Sequence, residues 1–296
     1  MKSIGKQVDT MQYLSPLRYP GGKSKLSDFM KLIIEKNSLS DGIYVEPYAG
    51  GAGIAFDLLF NEYVKKIIIN DLDYSIYSFW FSVLNHPEEL CALIQNKDVN
   101  INNWKKQKEV QRKKYDFSIL DVGFSTFFLN RTNRSGIIRG GAIGGTNQKG
   151  KWKIDARYNK EELISRILRI SKYKNRIDLF NLDACAFIPM VGRKLPNKTL
   201  FYIDPPYYIK GKELYEHHYN YEDHLIVSEI IKGIDLQNWI ITYDYVPEIC
   251  EIYHGFRQKK YPITYTAAIK QSGTEIMIFD NNLVLPRVKN PISVNN

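Results

Sequence analysis

Residues 44–56 read YVEPYAGGAGIAF, and the succession of residue types in this stretch decides the fold. A β-rich run from Ile43 ends at Glu46, and a tight turn follows through Pro47, Tyr48, Ala49, Gly50, Gly51, Ala52 and Gly53. The apolar spacing of IAFDLLFNEYV over 54–64 then predicts a helix. A second β-rich run, 66–70, stops before Asp71 in IIINDLD. Strand, glycine-rich turn, helix and strand make a unit in which backbone N–H groups at the turn can face a ligand. Asp71 lies 21 residues after Gly50, where an acid at a strand end can hold the two hydroxyls of a ribose. The turn is neither GxGxxG nor a phosphate-binding GxxxxGK[ST] loop. Glu46 argues further against a pyrophosphate, because its carboxylate would repel one while suiting the ammonium of an amino-acid-bearing nucleoside cofactor.

Working outward, residues 177–181, 200–204 and 239–243 read as further short strands, and 161–173 and 223–234 carry helical spacing. Strands alternating with helices predict an α/β fold, a doubly wound and mostly parallel sheet covered on both faces. Residues 263–267 and 275–279, joined through a glycine-containing connection, predict an antiparallel C-terminal hairpin. Between 85 and 160 the alternation is interrupted, with no buried-strand run. The expected organisation is a core domain in two parts, 1–84 and 161–296, carrying a mainly helical insert at 85–160.

The 296 residues are 44% hydrophobic and 25% charged, as in a globular protein. No apolar run is long enough to span a bilayer, and the first 20 residues lack a signal-peptide core, so a cytoplasmic location is expected. Cys91, Cys185 and Cys250 lie far apart, and the five histidines form no metal-binding spacing, which excludes disulfide-framework and zinc-site classes. The formal charge of +9 is concentrated: residues 101–160 hold 14 Lys and Arg against 4 Asp and Glu, while the remainder holds 27 against 28. Within that segment WKKQKEVQRKKY reads as a helix bearing Lys105, Lys106 and Lys108. FFLNRTNRSGIIRGG follows, placing Arg131, Arg134 and Arg139 among Asn130 and Asn133. Arg and Asn are the side chains that read guanine and adenine edges bidentately, so nucleic acid is the expected partner.

LFYIDPPYY, 200–208, is an apolar strand that stops at an acid and two prolines. Two prolines remove two N–H donors, so this backbone presents acceptors only. The Asp204 carboxylate and the Pro205 carbonyl can accept both hydrogens of a planar exocyclic amine, Pro206 stiffens the turn, and Tyr207 offers a ring for base stacking. Two other positions stay open on this reading. Lys23 in PLRYPGGKSKL sits on a Pro-Gly turn where a solvated lysine is ordinary, and Asp183 in FNLDACAF either caps a helix or accepts from an adenine amine.

Taken together, RYPGGK, EPYAGGAG, NDLD, FFLNRTNRSG, NLDACAF and DPPYY, spanning about residues 17–208, resemble the Dam-type DNA adenine-N6 methyltransferases of the alpha motif order. The resemblance implies a Rossmann-like methyltransferase fold, S-adenosylmethionine as cofactor, and methylation of the N6 amine of an adenine flipped out of double-stranded DNA. It implies cofactor binding by Tyr19, Lys23, Glu46, Gly50, Gly51, Gly53 and Asp71, with Asp204 shared between cofactor and base. It also implies catalysis by Asp204, Pro205, Pro206 and Tyr207, and target recognition by the basic insert. No metal is implied, and a cognate restriction endonuclease is a candidate partner. The run Thr132-Asn133-Arg134-Ser135-Gly136 departs from the aromatic-Asn-Gly run of GATC methylases, so GATC is not carried over as target. Related motifs serve cytosine N4 and RNA adenine, and an inactive DNA-binding regulator on the same fold is the rival of another class. The acid of DPPY, where cytosine-N4 enzymes tend to have Ser, favours adenine.

Overall fold

The computed structural model describes residues 14–18, 23–209, 219–233, 236–265 and 271–294. Strands β1 (Gly42–Glu46), β2 (Val64–Asn70), β3 (Ile177–Phe180), β4 (Thr199–Ile203) and β5 (Trp239–Asp244) are parallel. The antiparallel pair β6 (Arg257–Tyr265) and β7 (Gln271–Phe279) completes a seven-stranded sheet of order β3-β2-β1-β4-β5-β7-β6. Strand alternation sends Tyr44, Ile67, Ile69, Leu200 and Tyr202 to one apolar layer and Val45, Ile68, Phe201, Ile203 and Ile241 to the other. Helices α1 (Ser27–Lys36), α2 (Gly53–Phe60), α3 (Tyr74–Asn85), α6 (Ile119–Thr132) and α7 (Lys160–Ser171) add residues to the first layer. Helices α8 (Ala184–Gly192), α9 (Tyr221–Gly233) and α10 (Pro247–Ile252) pack on the second. Among the described residues, no helix is long and apolar enough to cross a membrane.

The region expected as an insert contains α4 (Pro87–Asn96), α5 (Ile101–Arg112) and α6, then a stretch with no strand, pinned by a bridge between Asn133 and Ala142. It has no core of its own. Residues 122–130 of α6 are buried, and Phe124, Phe127, Phe128 and Leu129 belong to the same cluster as β1 and β2. Gly123 makes this possible: a Cβ there would stand 2.4 Å from Ser82 Oγ and 2.6 Å from Ser78 O of α3.

The C-terminal hairpin is longer than the sequence suggested, because β6 begins at Arg257. The charged run RQKKYP reads as a loop, yet β6 is the sheet edge, where polar side chains and Pro262 cost little. Residues 266 and 267 of the expected strand lie outside the described residues. β7 lies between β5 and β6, so Glu275 stands opposite both Asp244 and Tyr261.

Candidate active site

The sheet reverses its strand order between β1 and β4, and both chemical motifs leave the carboxyl ends of these two strands. After β1, Gly50 (φ 46°) and Ala52 (φ 47°) adopt the left-handed region and fold the turn tightly. The turn is held from three sides. Gly50 N–H donates to Asp71 Oδ2 at 2.8 Å, Ala49 N–H donates to the Asn70 carbonyl at 2.9 Å, and Trp80 Nε1 donates to the Gly50 carbonyl at 2.9 Å. The buried Asn70 amide donates to the carbonyls of Pro47 and Leu182 and accepts from Leu182 N–H, each at 2.9 Å, joining the loops after β1, β2 and β3. The spacing argument thus has a direct cause: the acid after β2 is bonded to the glycine turn after β1.

Two acids face this turn without a cation. Glu46 is buried, and desolvation pushes its carboxyl up to about 8; Asp204 raises it further, against the lowering contacts of Tyr44 and of Ala55 N–H. Asp71 is pushed up to about 7, mainly by burial and then by Asp73, although the N–H groups of Gly50 and Asp73 favour its ionised form. Among the described residues, no ion pair reaches either acid.

The acid of DPPY lies in the opposite situation. Lys23, in the one-turn helix Lys23–Leu26, places Nζ 3.0 Å from Asp204 Oδ1 and 2.8 Å from Glu275 Oε2. Desolvation would lower the ammonium's pKa, but the two carboxylates outweigh it and hold it above its usual value. Thr242 Oγ1 donates to Asp204 Oδ1 at 2.6 Å, and the Tyr202 hydroxyl lies 2.8 Å from Thr242. Burial raises the Asp204 pKa; Lys23 opposes this and Glu275 adds to it. Both protein contacts therefore meet Oδ1. Among the described residues no donor meets Oδ2, and the Asp204 side chain keeps 20% exposure where Glu275 has none. Asp244 accepts the N–H groups of Tyr208 (2.8 Å) and Ile209 (3.0 Å) and so fixes the loop that follows.

Several sequence expectations change here. Lys23 is an interior ion-pair partner, not a solvated turn residue. Tyr207 is buried with Pro205 and Pro206: its hydroxyl donates to Glu275 Oε1 at 2.7 Å and Lys23 Nζ stands 5.4 Å from its ring centroid, so it is not an open platform. Asp183 caps α8 by accepting Cys185 N–H at 2.7 Å. Gly51 and Gly53 fall where expected, in the turn and at the first residue of α2. Tyr19 lies outside the described residues.

The expected DNA-reading residues separate into two kinds. Asn130 is buried: its amide accepts from Arg18 N–H and donates to the Arg18 carbonyl, both at 2.7 Å, and donates to the Gly136 carbonyl at 2.9 Å. Asn133, also buried, accepts from Trp104 Nε1 at 2.6 Å and donates to the carbonyls of Ile137 and Ile138. Lys108 Nζ caps the carbonyls of Ile138, Arg139 and Gly140. These three groups brace the turn at 134–140, which corrects their reading as base or phosphate contacts. Lys105, Lys106, Arg134 and Arg139 lie on the surface. Arg131 donates to the Arg157 carbonyl, and burial, with Arg18 and Arg166 nearby, pushes its guanidinium down to about 9 although Glu162 opposes the shift.

Glu275, Tyr261, Thr242 and Asp244 were not expected in the site. One signal existed: Glu275 is the lone charge in the apolar strand run EIMIF. An acid there is buried when the strand is, and needs a partner.

The family model for D12 class N6 adenine-specific DNA methyltransferases matches residues 19–267. The type II methyltransferase M.MjaIII of Methanocaldococcus jannaschii is 21% identical over 267 residues, covering 82% of this chain and 89% of that one. Among solved structures, a SAM-dependent methyltransferase of Agrobacterium tumefaciens aligns at 10% identity with a TM-score of 0.35, covering 86% of this chain and 62% of that one. The rRNA methyltransferase AviRa of Streptomyces viridochromogenes aligns at 10% identity with a TM-score of 0.34, covering 87% and 92%.

Proposed function

The chain belongs to the D12 class of N6 adenine-specific DNA methyltransferases, enzymes that use S-adenosylmethionine, and on that premise we propose how its residues divide the work. The observation that carries the reading is Asp204: one oxygen is fixed by Lys23 and Thr242, and the other meets no donor among the described residues, at the carboxyl end of β4 where the strand order reverses.

The site suits S-adenosylmethionine. A buried Glu46 without a cation matches the methionine ammonium, Asp71 beside the Gly50 turn matches ribose hydroxyls, and Gly50, Gly51 and Gly53 let a nucleoside approach the backbone. When bound, the cofactor supplies an electrophilic methyl group on a sulfonium. The remaining work falls to the protein. The target adenine leaves the duplex stack at a few kcal/mol. Asp204 Oδ2 and the Pro205 carbonyl then accept the two amine hydrogens, which turns the N6 lone pair out of ring conjugation. Tyr207, held by its hydroxyl, forms a fixed aromatic wall of the base pocket. Orientation and electrostatics account for the rate.

Residues 85–160 act in this reading as the target-recognition insert on double-stranded DNA, with Lys105, Lys106 and Arg131 on phosphates and Arg134 and Arg139 toward the bases. Its stacking against α3 and the Asn130–Arg18 bonds, five residues before Lys23, fix it relative to the catalytic groups. Since the M. jannaschii relative is a type II methyltransferase, we assign the activity a modification role beside a restriction endonuclease.

Single-turnover methyl transfer at saturating cofactor and DNA tests the assignment. Asp204→Asn keeps the shape but offers an N–H₂ group to an amine, and the rate is expected to fall at least about 10²-fold. A wild-type rate from a folded Asp204→Asn protein would make DPPY structural. For the insert, the Lys105→Ala/Lys106→Ala double variant is expected to flatten the slope of log affinity against log salt by about 0.9 per lost phosphate contact. Arg134→Ala is expected to relax sequence preference at one position instead.

A further inference from the structure

The C-terminal hairpin does more than close the sheet. Glu275 of β7 is completely buried and accepts on both oxygens: Tyr207 on Oε1, and Lys23 together with Tyr261 on Oε2. It touches no open surface, so its partners are all within the protein, and two of them belong to the DPPY apparatus or contact it. The order β5-β7-β6 places Glu275 there: it lies opposite Tyr261 on the edge strand and opposite Asp244 on β5, the acid that holds the loop following DPPY.

We propose that Glu275 is a positioning residue for methyl transfer, holding Lys23 and Tyr207 so that Lys23 is shared with Asp204 instead of belonging to it alone. The inference rests on the assignment of Asp204 as acceptor of the target amine. Lys23 lies closer to Glu275 (2.8 Å) than to Asp204 (3.0 Å). Without the second carboxylate, Lys23 and Asp204 form a one-to-one buried pair, which draws the aspartate toward the lysine and away from the substrate amine. The same change releases the Tyr207 hydroxyl from a charged acceptor and loosens the ring. Glu275 therefore serves two of the base-contacting groups through one side chain.

Among the described residues, the groups facing Asp204 are Lys23, Tyr44 and Glu46 of β1, Tyr202 of β4, Thr242 of β5, Tyr261 of β6 and Glu275 of β7. Of these, Glu275 opposes ionisation of Asp204 by charge, and Lys23 favours it. A neutral residue at 275 removes one opposing charge while Lys23 stays, so Asp204 becomes more acidic.

Glu275→Gln keeps the shape but only one acceptor oxygen, so one of the two tyrosine hydroxyls, Tyr207 on Oε1 or Tyr261 on Oε2, loses its acceptor along with the charge. The expected result in single-turnover methyl transfer on duplex DNA is a rate at least about tenfold lower, with the KM for S-adenosylmethionine unchanged and the acidic limb of the rate profile moved to lower pH. A folded Glu275→Gln protein with the wild-type rate and pH profile overturns the proposal. If Glu275→Gln does not fold, Tyr261→Phe removes one hydroxyl from Oε2 without changing charge. It is expected to slow the rate several-fold at an unmoved pH midpoint, and a wild-type rate overturns the proposal. An active Asp204→Asn protein would overturn the assignment of the amine acceptor. An inactive Asp204→Asn protein beside a wild-type Glu275→Gln protein overturns the role of Glu275 alone.

Discussion

Glu46 and Asp71 on the proposed cofactor side, and Asp204 and Glu275 on the proposed base side, are four acids that differ in what balances them. Lys23 bridges Asp204 and Glu275, with Thr242, Tyr207 and Tyr261 adding hydroxyl donors. Glu46 and Asp71 have N–H groups and a tyrosine beside them but no cation among the described residues. The proposed base side already holds a cation before any ligand arrives, as suits groups that must hold an acceptor in one place through the reaction. Burial pushes the carboxyls of Glu46 and Asp71 up to about 8 and about 7, and on the proposed function Glu46 receives its cation from the ligand's ammonium while Asp71 meets ribose hydroxyls. On that proposal, burial of an acid serves preorganisation where a lysine is supplied and ligand selection where none is.

Breaking the base side is expected to have the larger effect. Lys23→Met takes the lysine away from Asp204 and Glu275, and loss of one partner from such a buried group costs about 3 to 5 kcal/mol. Burial already raises the Asp204 carboxyl and Lys23 opposes this, so without the lysine Asp204 resists ionisation further, and the variant's deficit in thermal or urea unfolding is greatest at high pH. It shrinks as the pH falls and Asp204 takes up a proton. A deficit that does not vary with pH would mean that Lys23 acts by packing and not by charge.

The cofactor side gives a smaller and opposite signal. With Glu46 at about 8 against an ordinary 4.5, the folded chain without cofactor keeps a proton that the unfolded chain loses, so stability falls as pH rises across that interval. Glu46→Gln removes this penalty, and its Tm at pH 9 is expected to exceed wild type by roughly 2 to 4 °C, while its affinity for S-adenosylmethionine drops. The sharpest measure is proton release. Calorimetric titration of the cofactor at pH 7 in two buffers of different ionisation enthalpy is expected to show about one proton released per site. Most of it should disappear in Glu46→Gln, with Asp71 supplying the remainder. Absence of proton release in the wild type would mean that Glu46 is already ionised, and the contrast between the two sides would fail.

The DNA-reading segment divides in a comparable way. Its arginines and its lysines at 105 and 106 could be read as polyanion contacts because charge is a property of composition. The amides of Asn130 and Asn133 could not be assigned by type. An asparagine can read adenine or replace a strand partner with the same two groups, and only the presence of Arg18 112 residues away decides that Asn130 does the latter.

Much of the fold was legible for a simple reason: strands, helices and the glycine turn follow from periods of two and 3.6 and from backbone rules that act over a few residues. The same local logic placed Asp71 at the end of β2 and Asp204 at the end of β4, where a doubly wound sheet puts its ligands. What a charged side chain meets in the interior is not local. Lys23 and Glu275 are 252 residues apart, and Tyr207 and Glu275 are 68 apart. No spacing rule links them, and each in isolation reads as an ordinary turn lysine, strand acid or stacking ring. Their pairing depends on β7 entering the sheet between β5 and β6, a choice made by the packing of the whole sheet. The sequence by itself therefore determined which elements form and which residue types can carry methyl transfer. The tertiary structure alone decided which acids receive a cation from the protein and which, among the described residues, do not.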